Sequence, residues 1–126
     1  MLRRFVVAEL SMSPALQPGQ EIDAEPASAP GRGVVLFFAD PTQDDFWLVK
    51  RVVGLPGETV TIADGEVRLD GRPYDDPWTF DHTEPPGEWH VPPGHVFVLS
   101  DARGRSLADS RTFGPVPVAG AYQPVG

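Results

Sequence analysis

Thr59-Val60-Thr61-Ile62-Ala63-Asp64-Gly65-Glu66-Val67-Arg68-Leu69 is the stretch that decides the fold class. Val60 and Ile62 alternate with Thr59 and Thr61, and Val67 and Leu69 alternate with Glu66 and Arg68. Successive side chains of a strand point to opposite faces, so each run gives one apolar and one polar face. Asp64-Gly65 lies between them, and Asp-Gly suits the positive φ angles of a tight hairpin turn. The stretch therefore predicts a β-hairpin, closed by a second turn at Asp70-Gly71.

Working outward, the same grammar recurs. Phe5 to Ala8 reads as a short strand, followed by turn signals at Ser13-Pro14 and Pro18-Gly19. Residues 24 to 33 are rich in Ala, Pro and Gly and read as a loop. Val34 to Ala39 is a continuous apolar run of strand length, expected to be buried on both faces. Phe46 to Val53 is another strand, ended by Gly54-Leu55-Pro56-Gly57. Residues 72 to 94 show little periodicity and predict a long irregular loop or small flap. His95 to Leu99 is the last clear strand, and the tail from Pro115 is extended and Pro-rich. The chain has 15 Pro and 13 Gly, spread along its length. Long helices do not survive such spacing, whereas short strands joined by turns do. The expectation is a mainly β chain forming one small domain over residues 1–126, with no repeat and no internal boundary.

Composition narrows the function. The net charge of -8 opposes binding to nucleic acid and to anionic membranes, both of which call for clustered Lys and Arg. There is no cysteine, which removes disulfides, thiolate metal sites and a Cys nucleophile together. His82, His90 and His95 are scattered, without the spacing of a zinc motif, so no metal is expected. Asp75, Asp76, Asp81, Glu84 and Glu88 lack calcium-loop spacing and read as a solvated acidic flap. No run approaches the ~20 apolar residues of a membrane-spanning helix. The apolar start fails at Glu9, too early for an export signal. As written, the chain reads as soluble, and as cytoplasmic unless a partner tethers it.

Candidate chemistry begins with Lys50. Strand parity places it on one face with Phe46, Leu48 and Val52. An amine held among apolar neighbours loses hydration, its pKa falls, and it can act as a general base. The same parity also suits an edge lysine whose stem lies on apolar surface while its amine reaches water. Ser11 follows a strand and precedes a proline-bearing turn, which would hold a hydroxyl rigidly or bond it to its own backbone. Asp109 and Arg111 are candidates for an ion pair pinning the polar loop that also carries Ser106 and Ser110.

The order of these groups adds what none supplies alone. Ser11-Met12-Ser13-Pro14, then Lys50-Arg51-Val52-Val53-Gly54-Leu55-Pro56-Gly57, then Ser100-Asp101 with Ser106 and Asp109-Ser110-Arg111 resemble the serine, lysine and Asp-Ser-Arg boxes of type I signal peptidases. Gly31 to Phe37 is similar to the strand after the serine box in that family, and Thr59 to Gly71 to its hairpin after the lysine box. The resemblance implies a coiled, antiparallel, barrel-like β architecture shared with the self-cleaving domain of LexA-like repressors. It implies a serine endopeptidase with Ser11 as nucleophile and Lys50 as general base, needing no cofactor. It assigns Ser106 to orienting the lysine amine, Asp109 and Arg111 to supporting the site, and Met12 to substrate contact. The partner it implies is a polypeptide bound as an extended strand and cut after small residues, as a signal peptide or a specific precursor. Family members usually carry a membrane anchor before the serine box, with the active site outside the cytoplasm.

Four positions depart from the family pattern. Glu9 stands where Ser or Gly is usual, Ser100 where Gly precedes the aspartate, and Ala102 where Asn is common. Leu107 belongs to a Ser106–Asp109 spacing one residue longer than the commonest. These departures motivate a second expectation, a weak or inactive relative that serves as a peptide-binding module.

Overall fold

The computed structural model describes residues 1–126. Its strands in chain order are β1 (Arg3–Val6), β2 (Glu21–Pro26), β3 (Val35–Ala39), β4 (Trp47–Gly54), β5 (Thr59–Ala63), β6 (Glu66–Leu69), β7 (Arg72–Pro73), β8 (Gly87–His90), β9 (His95–Leu99), β10 (Val116–Pro117) and β11 (Tyr122–Pro124). A single helical turn, α1 (Ser110–Phe113), follows β9. All pairings are antiparallel. The larger sheet has the order β1-β2-β11-β3-β4-β9-β10 and the smaller β7-β6-β5-β8. Both sheets are open-ended, so the architecture is coiled and antiparallel but stops short of a closed barrel.

The hairpin forms as the sequence dictates. β5 pairs with β6 from Val60↔Leu69 to Ala63↔Glu66, and Asp64 and Gly65 take φ of 54° and 77°. Both turn residues lie in the left-handed region, which matches the twist of the flanking strands. The apolar run of β3 is buried on both faces: Leu36 and Phe38 belong to one cluster and Phe37 to another.

Three segments differ from expectation. β2 reaches into the stretch read as loop; with Ala24 its only fully buried residue, it carries little apolar signal. The 72–94 segment is partly ordered by the small sheet, because β7 and β8 take its two edges. The Pro-rich tail enters the large sheet, with β11 between β2 and β3. Single periodic residues identify none of these strands; their neighbours in space do.

The apolar core is divided by the strands that carry the site. Leu36, Phe38, Leu48, Val52, Val96, Val98, Val116, Val118 and Ala121 cluster on the large sheet. Val53, Val60, Ile62, Val67, Val91, Phe97 and Leu99 form a second cluster joining the two sheets. β4 passes between them, and its pairing with β9 shifts register between Val52 and Gly54. Gly54 is the point of closest approach: a Cβ there would lie 2.6 Å from Val60 Cγ2 and 2.9 Å from Phe97 Cβ. Packed interiors yield little to an added methyl group. Gly54→Ala should therefore destabilise the fold by about 1–3 kcal/mol, read as a lower midpoint in denaturant unfolding.

Candidate active site

Strand parity holds within β4, whereas Phe46, grouped on the same face from sequence, precedes the strand and is exposed. Leu48, Lys50 and Val52 share a face and are 6%, 1% and 0% exposed. Lys50 is the only lysine in the sequence, the other nine basic residues being arginines, and it is among the most deeply buried large side chains. Its amine lies 3.0 Å from Ser11 Oγ and 3.0 Å from Ser100 Oγ. Burial is the largest influence on its pKa and lowers it; Arg111 pushes the same way, while Asp109, Glu9 and Asp101 pull upward. The net direction is down, towards the neutral amine.

Ser11 opens the turn that follows β1 and is itself buried. Its carbonyl accepts the Ala102 N–H at 2.9 Å, which ties it to the loop after β9. Its own N–H makes no hydrogen bond within the chain and remains available to an incoming acceptor. Met12 is wholly buried against Val7 and Leu16, and its Sδ accepts the Asp101 N–H at 3.4 Å. The thioether is thus packed inside the turn that carries Ser11, and a substrate contact at Met12 stays an expectation.

The loop from Ser100 to Gly114 is held by a buried carboxylate. Asp109 caps α1, its Oδ1 accepting the Arg111 N–H at 3.0 Å. The other oxygen accepts the Ser100 N–H at 2.9 Å and Arg111 Nη2 at 2.7 Å. Arg111 also donates to the carbonyls of Glu84, Arg103 and Ser106. Ser110 Oγ accepts the Val98 N–H of β9 at 2.8 Å. A second buried pair, Arg51 with Asp101, closes at 2.6 Å, with Trp78 stacked 3.8 Å from the guanidinium carbon.

Ser106, expected to orient the lysine, stands apart. Its hydroxyl accepts the Ala108 N–H at 3.1 Å and has no bond to Lys50. The oxygen on the amine belongs to Ser100, which the residue-by-residue resemblance treats only as a departure. The available signal was chemical: a serine at the end of β9, the strand beside β4, places a hydroxyl within reach of β4.

An apolar cleft opens beside the pair. It is lined by Phe5 to Glu9 along β1 and its continuation, by Phe46 to Val49 along β4, and by Ser11 and Lys50 at its end. β1 is an edge strand.

An open antiparallel β fold here brings a buried serine hydroxyl to 3.0 Å from a buried lysine amine, the geometry that a Ser–Lys nucleophile–base pair would require. Comparison with known proteins gives the family. The model of the family described as "Signal peptidase, peptidase S26" matches residues 1–122, and the chain belongs to that family of serine-type endopeptidases. It is 34% identical to the signal peptidase I of Bacillus caldolyticus, over 90% of this chain and 71% of that protein. It is 33% identical to the probable signal peptidase I-1 of Synechocystis, over 93% of this chain and 68% of the relative. The crystal structure of a signal peptidase I from Enterococcus faecalis superposes with a TM-score of 0.67 at 27% identity, covering 79% of this chain and 99% of that one. No helix of this chain is long and apolar enough to cross a membrane.

The buried amine has a stability signature. Its folded pKa lies below that of the unfolded chain, which is ~10.4. Between those two values the unfolded chain holds the extra proton, so stability rises with pH in that window and is level above it. Lys50→Met removes this dependence. The variant should gain most over the parent at low pH, and the gain should shrink as pH approaches the unfolded value, as measured by denaturant unfolding of both proteins across pH.

Proposed function

We propose that this chain cleaves an extended polypeptide after small residues, as in signal-peptide or specific-precursor processing, using Ser11 as nucleophile and Lys50 as general base. The observation that carries the reading is the 3.0 Å approach of Lys50 Nζ to Ser11 Oγ, made by an amine that is 1% exposed. Burial favours the neutral amine, and only a neutral amine has a lone pair for the Ser11 proton.

The steps follow from that pair. Ser11 O–H donates to the Lys50 lone pair and transfers its proton as Oγ attacks the scissile carbonyl. The carbonyl electrons move onto oxygen, and the unpaired Ser11 N–H donates to that oxyanion. Collapse breaks the C–N bond, and the Lys50 ammonium returns its proton to the leaving amine. A water then gives a proton to Lys50 and attacks the acyl ester, releasing the acid and restoring Ser11. The substrate would lie along the open edge of β1, its backbone adding to the sheet and its side chains entering the apolar cleft.

A second reading rests on Glu9. This exposed carboxylate lines the cleft beside Ser11 and draws the Lys50 pKa upward. A carboxylate there donates nothing to an oxyanion and opposes its charge, which favours a slow enzyme or a peptide-binding relative. Peptide binding by calorimetry without turnover, with turnover restored by Glu9→Ser, would support it.

The primary reading is tested with a peptide bearing an Ala-x-Ala site. Ser11→Ala and Lys50→Ala should each lower kcat by at least about a thousandfold. The rate of the parent should rise with pH through the Lys50 pKa. Full activity in Ser11→Ala, or a flat profile across about pH 6 to 10, would overturn it.

A further inference from the structure

A base must do more than be neutral; its lone pair must point at the proton. The Lys50 amine can rotate about its last bond, and that rotation is fixed only by what else it touches. It touches one other oxygen, Ser100 Oγ at 3.0 Å.

Ser100 is unusually well fixed. It is 0% exposed at the end of β9. Its N–H donates to Asp109 Oδ2 at 2.9 Å and its carbonyl accepts Arg103 Nε at 2.6 Å. Both peptide groups are thus tied to buried charged side chains, and Asp109 and Arg103 are themselves held by Arg111 and by Asp76 and Thr83. Ser106 offers the opposite case. It is half-buried, its hydroxyl accepts the Ala108 N–H, and its carbonyl accepts Arg111 Nη2 at 2.8 Å.

We propose that Ser100 is the positioning residue of this site: its hydroxyl accepts one N–H of Lys50, so that the lone pair faces Ser11, while Ser106 serves only the loop. This deepens the Ser11–Lys50 reading and rests on it. The lysine-orienting oxygen thus lies on the residue that follows β9, held by Asp109 and Arg103, rather than in the middle of the loop.

The charged groups facing the amine are Glu9, Asp40, Asp101, Asp109 and Arg111. None is altered by removing the Ser100 hydroxyl, so a change in Lys50 titration would report the hydroxyl itself. A hydroxyl acceptor favours the charged amine more than the neutral one, because hydrogen bonds from an ammonium are the stronger. Its loss should move the Lys50 midpoint to lower pH.

The experiment compares Ser100→Ala, Ser106→Ala and the parent. Ser100→Ala should lower kcat by about tenfold to a hundredfold, the worth of one hydrogen bond to a charged group, with KM little changed. The midpoint of its pH–rate profile should fall. The second readout needs no turnover. Lys50 is the sole lysine, so protein labelled with ¹³C-lysine gives a single side-chain amine titration by NMR. That midpoint should fall in Ser100→Ala and stay at the parent value in Ser106→Ala. If Ser100→Ala does not fold, Ser100→Gly removes the same hydroxyl. Parent kcat and midpoint in Ser100→Ala, or a shifted midpoint in Ser106→Ala, would overturn the proposal. Activity retained by Ser11→Ala would instead overturn the peptidase reading, and the NMR comparison would still decide Ser100.

Discussion

A lysine side chain taken almost wholly out of water loses the hydration of its ammonium, a cost of several kcal/mol if the charge were kept. β4 imposes this on Lys50 by alternation alone: the neighbours two residues away on its face are Leu48 and Val52, both in the core. Most of the surrounding architecture answers that constraint. Two hydroxyls supply the amine with partners, and neither carries a charge that would hold the proton in place. A carboxylate in direct contact would have made a stronger bond and a poorer base. Two of the acids that act on it are instead committed elsewhere: Asp101 to Arg51 and Asp109 to Arg111.

Those buried ion pairs are better understood as geometry than as stability. A pair out of water offsets most of its attraction with lost hydration, yet removing one partner strands a charge. Arg51 with Asp101 fastens β4 to the loop after β9, and Asp109 with Arg111 fastens that loop to itself and to Glu84. Met12 reaches the same loop from the Ser11 side. Three chain segments distant in sequence are thereby held around one amine.

The parts of this arrangement that were legible in sequence are those governed by local periodicity. The hairpin from Thr59 to Leu69 and the facing of Lys50 follow from alternation and turn chemistry, and the doubly buried β3 from its continuous apolar run. β2, β7, β8 and β11 were not legible, because each is short or Pro-bearing and owes its strand character to neighbours in space. The site divides in the same way. Ser11, Lys50 and the Asp109–Arg111 pair stand in an order that sequence displays. The second hydroxyl did not follow, because which serine reaches the amine depends on the path of the loop between Asp101 and Asp109. The burial of Met12 likewise comes from packing against Val7 and Leu16, which its place in the serine box does not display.

The solitude of Lys50 has one further consequence. A protein ordinarily presents many surface lysines to acylating or reductively alkylating reagents, and any slow reaction at an interior one is lost among them. Here every surface cation on a side chain is a guanidinium or an imidazole. Covalent labelling in this chain therefore meets no competing lysine, and modification at Lys50 requires the cleft to open far enough to admit the reagent. The buried amine is a built-in clock for the breathing of its own site.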